Sequence, residues 1–317
     1  MLMKNTSSKL TKIYYLLPLA ALSCLLWGSA FPAVKTGYSL FGIAADNSAS
    51  QILFAGLRFT LAGLLVIAFA CASEKRAALP KTKREWGHIA IISLFQTVLQ
   101  YICFYIGLAR TSGVKSSILV SLGVFFSLII SALILKMERF TWLKLLGTAA
   151  GFAGVIIVNA GAGGFAAGFS FMGEGMIILS TLCSAISGVL IKRFSKTESP
   201  VMLSGWQFFI GGLAMLALGF STGGRISAEL SVKPLLLLLY LGLLSAVAYT
   251  VWSILLKHNP VSRVTVFGFL NPVFGVLLSA LLIGEAAEAF ALKNLAALAL
   301  VSIGIYIINA QFKKSEE

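Results

Sequence analysis

The feature that most constrains this chain is a series of ten apolar runs, each close to the roughly 20 residues that a helix needs to cross a bilayer. They cover about 13–36, 48–72, 87–109, 113–135, 141–160, 171–191, 200–220, 234–256, 263–284 and 291–311. None alternates polar and apolar residues as barrel strands do. Backbone polar groups in lipid must bond within the protein, and an unalternating run does so as a helix. Composition agrees. Of the 317 residues, 58% are hydrophobic and 11% charged, against about 25% charged in a soluble domain. The expectation is an all-α membrane protein with ten transmembrane helices and no separate soluble domain.

The runs are also duplicated. G-L-R-F-T-L-A-G-L-L from Gly56 has a counterpart in G-W-Q-F-F-I-G-G-L-A from Gly205. Tyr101 has a mate in Tyr249, and G-V-I-I-V-N-A from Gly154 in G-I-Y-I-I-N-A from Gly304. The offset stays near 149 along the whole chain, so one unit has been copied. Each unit holds five spans. Five is odd, so the second copy enters the membrane from the opposite face, giving two inverted five-helix repeats with a shared cavity at their interface. The boundaries read as an N-terminal tail 1–12, a first repeat 13–160, a glycine-rich linker 161–170, a second repeat 171–311 and a tail 312–317.

A formal charge of +14 alone would suggest nucleic acid, but its placement argues against that partner. If loops alternate, 18 of the 25 Lys and Arg fall on the side of the N-terminus, 6 fall opposite, and Arg58 lies within a span. Basic loops stay in the cytoplasm, which places both termini there, in a bacterial-type inner membrane. The first run continues past Cys24 to Val34, longer than a signal-peptide core of roughly 7–15 residues, and reads as a span. The four cysteines have no metal-ligand spacing. No metal or cofactor is expected.

Polar residues inside spans are costly and mark interior or pathway positions. Arg58 lies about ten residues into its span. It reads either as a counter-charge for a carboxylate-bearing solute or as a clamp on helix carbonyls. Its repeat mate is Gln207. Gln100 and Tyr101 on the third span, Tyr249 on the eighth, Asn271 on the ninth and Trp27 on the first are the other candidates for a cavity wall. Aromatic rings beside amides suit an amphipathic organic molecule, although interhelical bonding explains the same residues. Pro32 and Pro272 free backbone carbonyls and are candidate bending or gating points. Gly147, Gly151 and Gly154 form a small-residue stripe, read as a packing face or the face of a homodimer. No Asp, Glu or His lies mid-span, so Glu138, Glu174 and Glu285 near span ends are the available proton carriers. No nucleotide loop or hydrolase motif is present. The reading is a secondary transporter of a small molecule in the lipid bilayer, and not an enzyme. An intramembrane lipid-modifying enzyme and a non-transporting scaffold or sensor are the alternatives.

Several motifs carry a resemblance to a family. L-L-W-G-S-A-F-P-A-V-K (Leu25–Lys35), L-R-F (Leu57–Phe59), L-A-R-T-S-G (Leu108–Gly113), and L-N-P-V-F with Glu285 thirteen residues after Pro272 resemble the EamA branch of the drug/metabolite transporter superfamily. The resemblance covers nearly the whole chain. It implies ten helices in two inverted units and export or exchange of amino acids, other metabolites or drugs without a cofactor. It also implies a central cavity surrounded by spans one to four and six to nine, with five and ten outside. The family often repeats the span-nine proline in span four; here Val124 or Phe125 stands at that place.

Overall fold

The structure is a computed structural model and describes residues 9–73, 79–159, 169–226, 232–283 and 292–313. Among these residues every regular element is helical. Helices occupy each predicted run. They are α1 (Ile13–Leu40), α2 (Ser48–Ser73), α3 (Lys83–Leu108), α4 (113–134), α5 (Trp142–Asn159), α6 (Phe171–Phe194), α7 (Pro200–Ser221), α8 (Val232–His258), α9 (261–283) and α10 (Leu292–Lys313). Seven segments are long and apolar enough to cross a membrane: α1, α2, α3, residues 115–134 of α4, α6, α7 and α8. Most of the 161–170 linker and Glu285 lie outside the described residues.

Helix starts follow local chemistry. Thr82 caps α3 in a reciprocal capping box with Glu85. Ser199 caps α7, and Pro200 follows at its first position. Interruptions are less predictable. Pro18 and Pro32 lie within α1, which is continuous over 28 residues. The break in α4 falls at Val120–Ser121, just before Gly123, and its last turns from Ile129 are wound as π-helix. α3 carries an unforeseen π-helical stretch at Ser93–Leu99. α9 is interrupted by a 3-10 segment, Val266–Phe269, immediately before Leu270, Asn271 and Pro272.

α2 and α7 form the most extensive helix pair. A Cβ added to Gly63 would strike the backbone of Phe209, and one added to Gly212 would strike the backbone of Thr60. Likewise Gly56 faces Leu216 and Gly205 faces Ile67. Residue numbers rise on one helix as they fall on the other, so α2 and α7 run antiparallel. Each contact turns into its partner when the two copies of the repeated motif are exchanged. Glycine at these positions lets the two backbones approach within contact distance. α5 and α10 pair through Gly147 and Gly304, while Gly151 lies on the ring of Phe269. Gly147 and Gly151 are therefore used inside the chain.

Hydrogen bonds between loops sort the helix ends into two sets. At one end Asn259 Nδ2 donates to the carbonyl of Leu10 at 3.1 Å, and Lys192 Nζ donates to the carbonyls of Lys257 and Asn259 at 3.1 and 2.7 Å. Glu138 there accepts from Ser262 N at 3.1 Å, from Ser262 Oγ, and from Lys144 Nζ at 2.6 Å. At the other end Thr111 Oγ1 donates to Glu174 at 2.8 Å, Arg110 Nη2 donates to Ser48 Oγ at 3.2 Å, and Ser50 Oγ donates to the carbonyl of Arg225 at 2.7 Å. These are called the Lys192 end and the Glu174 end below.

Candidate functional site

A cavity of about 120 Å³ lies between the two sets of ties, room for several waters or a small organic group. Its wall comes from both repeats, through α1, α2, α3, α4, α6, α8 and α9. Among the described residues, α5, α7 and α10 contribute none of it. The absence of α7 departs from the expectation, because its glycine face and Gln207 are spent on α2 and α3.

Six of the seven candidate substrate residues, Trp27, Arg58, Gln100, Tyr101, Tyr249 and Asn271, line this one cavity. Gln207 does not reach it. It is fully buried and accepts a hydrogen bond from Thr97 Oγ1 on α3. Pro32 and Pro272 are buried behind the wall.

The aromatic side of the cavity is interlocked. Trp27 meets Tyr249 and Trp252 edge-on, each with ring centroids 4.9 Å apart. The Tyr101 and Tyr249 hydroxyls are hydrogen-bonded to each other, and Gln100 Nε2 donates to Tyr249 Oη at 3.0 Å. Behind them Phe59 and Phe208 stack at 5.3 Å and brace the two tyrosines.

Arg58 is 1% exposed. Its Nε donates to Ser245 Oγ at 2.9 Å and to the Leu241 carbonyl at 3.3 Å, and its Nη1 donates to Tyr105 Oη at 3.2 Å. The guanidinium also sits 5.0 Å from the Phe59 ring centroid and 5.7 Å from that of Tyr101. All of these partners are neutral. Among the described residues no carboxylate lies within ion-pair distance. Arginine keeps its charge in proteins, so the cavity wall carries an uncompensated cation. Both readings of Arg58 meet here, since it clamps a carbonyl of α8 and also lines the cavity.

Several polar atoms of the wall are buried without a protein partner: Trp27 Nε1, Gln100 Oε1, Thr265 Oγ1 and Asn271 Oδ1. Buried polar groups are nearly always bonded, so an orphaned set around one cavity marks a place for water or solute. Among the described residues no group of three or more His, Cys, Asp or Glu could hold a metal ion.

Sequence reasoning missed the α6 side of the wall. Ser180, Thr181, Ser184, Ala185 and Gly188 line it. Their spacing of one, three, one and three residues is a helix face of small side chains, a signal present in the sequence. It also passed over Thr265, just before the 3-10 segment of α9, and Gly268 within it, which line the cavity.

Comparison with known proteins decides the family. Residues 15–160 and 171–310 each match the EamA-like transporter family. The chain belongs to that family. The two matches coincide with the duplication seen here, and the chain is a multi-pass membrane transporter of the drug/metabolite type. An uncharacterized transporter of Archaeoglobus fulgidus is 27% identical over 291 residues, covering 91% of this chain and 96% of that one. A chloroplastic WAT1-related protein of Arabidopsis thaliana is 26% identical, covering 89% and 66%. A protein of Streptantibioticus cattleyicolor named a probable terminal-alkyne amino-acid exporter is 25% identical, covering 95% and 94%. A protein of known crystal structure shares the fold, with a TM-score of 0.69, 22% identity, and coverage of 94% and 98%.

Proposed function

We propose that this chain is a secondary transporter that moves a small carboxylate-bearing organic solute, such as an amino acid or related metabolite. It acts as an exporter or exchanger by alternating access, as a carrier and not as an enzyme. Its ten helices form two inverted five-helix units, with both termini in the cytoplasm of a bacterial-type inner membrane. The antiparallel, self-exchanging contact of α2 and α7 supports the inversion, and the 18-to-6 basic asymmetry supports the orientation.

The observation that carries the functional reading is Arg58 in the wall. A guanidinium buried among neutral partners gains from an anion, and a solute carboxylate provides one. Trp27, Tyr101, Tyr249 and Trp252 offer apolar area to the rest of the solute, and the free oxygens of Gln100 and Asn271 accept from its donors. The relative named as an amino-acid exporter agrees with a solute of this kind. Gln207 acts indirectly, by holding α3 through Thr97. Pro32 and Pro272 are the points where α1 and α9 bend as access alternates.

The test is a metabolite profile of cells and medium with and without the protein. A carboxylate-bearing solute should leave the cell in step with expression. No solute changing its distribution, or only cationic solutes doing so, would overturn the reading.

A further inference from the structure

A second buried polar site lies at the Lys192 end, away from the cavity. His88 Nδ1 is hydrogen-bonded to Glu198 Oε1. His88 stands in the first turns of α3, and Glu198 stands just before the cap of α7. The imidazole lies flat on Phe194, with ring centroids 3.7 Å apart and planes 5° from parallel. The Glu198 side chain is 4% exposed and that of His88 15%. Glu198 Oε2 has no partner.

The surrounding charges make this pair unusual. Lys257 on α8 reaches the backbone carbonyl of Glu198 at 3.5 Å, leaving the carboxylate aside. Lys192 on α6 is bonded to the carbonyls of Lys257 and Asn259. Glu85 on α3 is bonded to its own capping box. Arg84 on α3, Arg193 and Lys196 at the end of α6, His258 on α8 and Arg263 on α9 are other charged or titratable groups of this end, and Glu138 is taken up by Lys144 and Ser262. Among the described residues His88 is the one group within ion-pair distance of the Glu198 carboxylate. A buried carboxylate is expensive unless paired. Here the pairing charge exists only when the imidazole holds a second proton, and histidine is the side chain that changes charge between about pH 5 and 8.

The same helix carries the solute site. Gln100 and Tyr101 lie 12 and 13 residues along α3 from His88, about 18–20 Å at 1.5 Å per residue. Between them Thr97 is bonded to Gln207 on α7, and two residues before His88 Trp86 packs on Trp206 at 5.2 Å. The first half of α3 is thus held to α7, and the His88–Glu198 bond ties its first turns to the loop that enters α7. That bond breaks if α3 parts from the loop.

We propose that His88 and Glu198 form a proton-binding site that couples the charge of the pair to access from the Lys192 end. With the proton bound, imidazolium and carboxylate neutralise each other and hold the end shut. When the proton leaves to water, the pair carries a net negative charge, the tie weakens and the end opens. The proposal rests on the transport reading for its consequence, which is exchange of solute against protons, but the proton site itself does not need it.

The test uses full-length protein in inside-out membrane vesicles, where added label meets the Lys192 end alone, with the four native cysteines replaced and Ser184→Cys placed in the cavity wall. Labelling by a water-soluble maleimide is measured at pH 5.5 and pH 8, relative to the unfolded chain at the same pH. Protection should be roughly tenfold greater at pH 5.5, about the factor one charge-assisted hydrogen bond supplies. His88→Gln and Glu198→Gln should each abolish the difference. Proton binding is read separately. The chain has two histidines, so 15N-histidine protein carrying His258→Gln reports His88 alone, and its ring nitrogens should change protonation over this range in a way that Glu198→Gln alters. Protection equal at both pH values, protection that still differs in both variants, or a silent imidazole spectrum overturns the proposal. If these results hold and no solute follows expression, the transport reading fails and the proton site stands.

Discussion

The hydroxyls of Tyr101 and Tyr249, one from each family repeat, are hydrogen-bonded to each other at the wall of the cavity. Tyr249 Oη also accepts from Gln100 Nε2 at 3.0 Å. Its removal strands two polar groups at once. Tyr249→Phe should cost about 1–3 kcal/mol of stability, the range for leaving a buried group unsatisfied. Tyr101→Phe in the same protein should add less than it costs alone, because neighbours in one network are not additive. Thermal unfolding of the two single variants and the double variant in detergent measures this. Strict additivity would mean that the two hydroxyls do not share a bond.

The glycine contacts of α2 and α7 make a sharper prediction about folding. A Cβ at Gly63 meets backbone, which cannot rotate away. Gly63→Ala should therefore separate the two helices and leave little folded protein after extraction. Gly87 in the first turns of α3 has open space around its missing Cβ. Gly87→Ala should be neutral or stabilising by up to about 1 kcal/mol, as for a helical glycine without a steric role. Size-exclusion yield and melting temperature of the pair discriminate steric exclusion from a general preference for alanine.

The loop between α4 and α5 predicts a dependence on pH. Burial pushes the Glu138 carboxyl up, but hydrogen bonds from Lys144 and Ser262 and the Lys144 charge together hold it below the usual carboxylate range. A depressed carboxyl contributes stability above its unfolded value, and that contribution is lost as pH falls through the folded value. Glu138→Gln should thus lose about 1.5–3 kcal/mol at pH 7, and the gap to the wild type should close as pH falls below about 4, the ordinary carboxylate range. A gap that does not narrow at all between about pH 5 and pH 3 would assign the loss to packing. Counterflow exchange by Glu138→Gln in proteoliposomes should remain, since this carboxylate lies at the Lys192 end and outside the cavity wall.

Orientation is the subject of a separate test. Reporter fusions after Lys196 and after Arg225 should fall on opposite sides of the membrane, with the Lys196 fusion cytoplasmic. The same side for both would remove α7 as a span, although it is among the segments that are long and apolar enough to cross.

Much of the helical layout was legible because lipid leaves few choices: a long unalternating apolar run must become a helix. The duplication was legible for the same reason that α2 and α7 pack so closely, since the glycines that spell the repeat are the glycines that touch. The wall was only partly legible. Arg58, Tyr101 and Tyr249 announce themselves by their cost in lipid, whereas Ser180 and Ser184 cost little and so pass as ordinary helix. Gln207 misled because burial and cavity lining look alike from a sequence, and its amide oxygen is turned to Thr97. His88 and Glu198 were missed as a pair because they are 110 positions apart and each, taken singly, sits harmlessly at a helix end. Backbone windings such as the π stretch of α3 have no composition of their own to read.

Arg58 is the residue on which the functional reading can most directly fail. It is held by the Leu241 carbonyl, Ser245 and Tyr105, and it faces the cavity. Gln stands at its repeat mate, so Arg58→Gln keeps part of the hydrogen-bonding capacity while removing the charge and shortening the side chain. If the guanidinium holds a solute carboxylate, the lost charge-assisted bond of about 1.5–3 kcal/mol predicts roughly 10- to 150-fold weaker binding of anionic or zwitterionic solutes. Because the three protein partners are neutral and remain hydrogen-bondable by an amide, the melting temperature should change far less than affinity. Ser245→Ala supplies the complementary case. It removes one partner of Nε and should lower stability by about 0.5–1.5 kcal/mol, with affinity nearly unchanged. Thermal stability and solute affinity measured on the same purified samples separate the two roles. Reduced stability with unchanged affinity in Arg58→Gln would make Arg58 a helix clamp and remove it from the site.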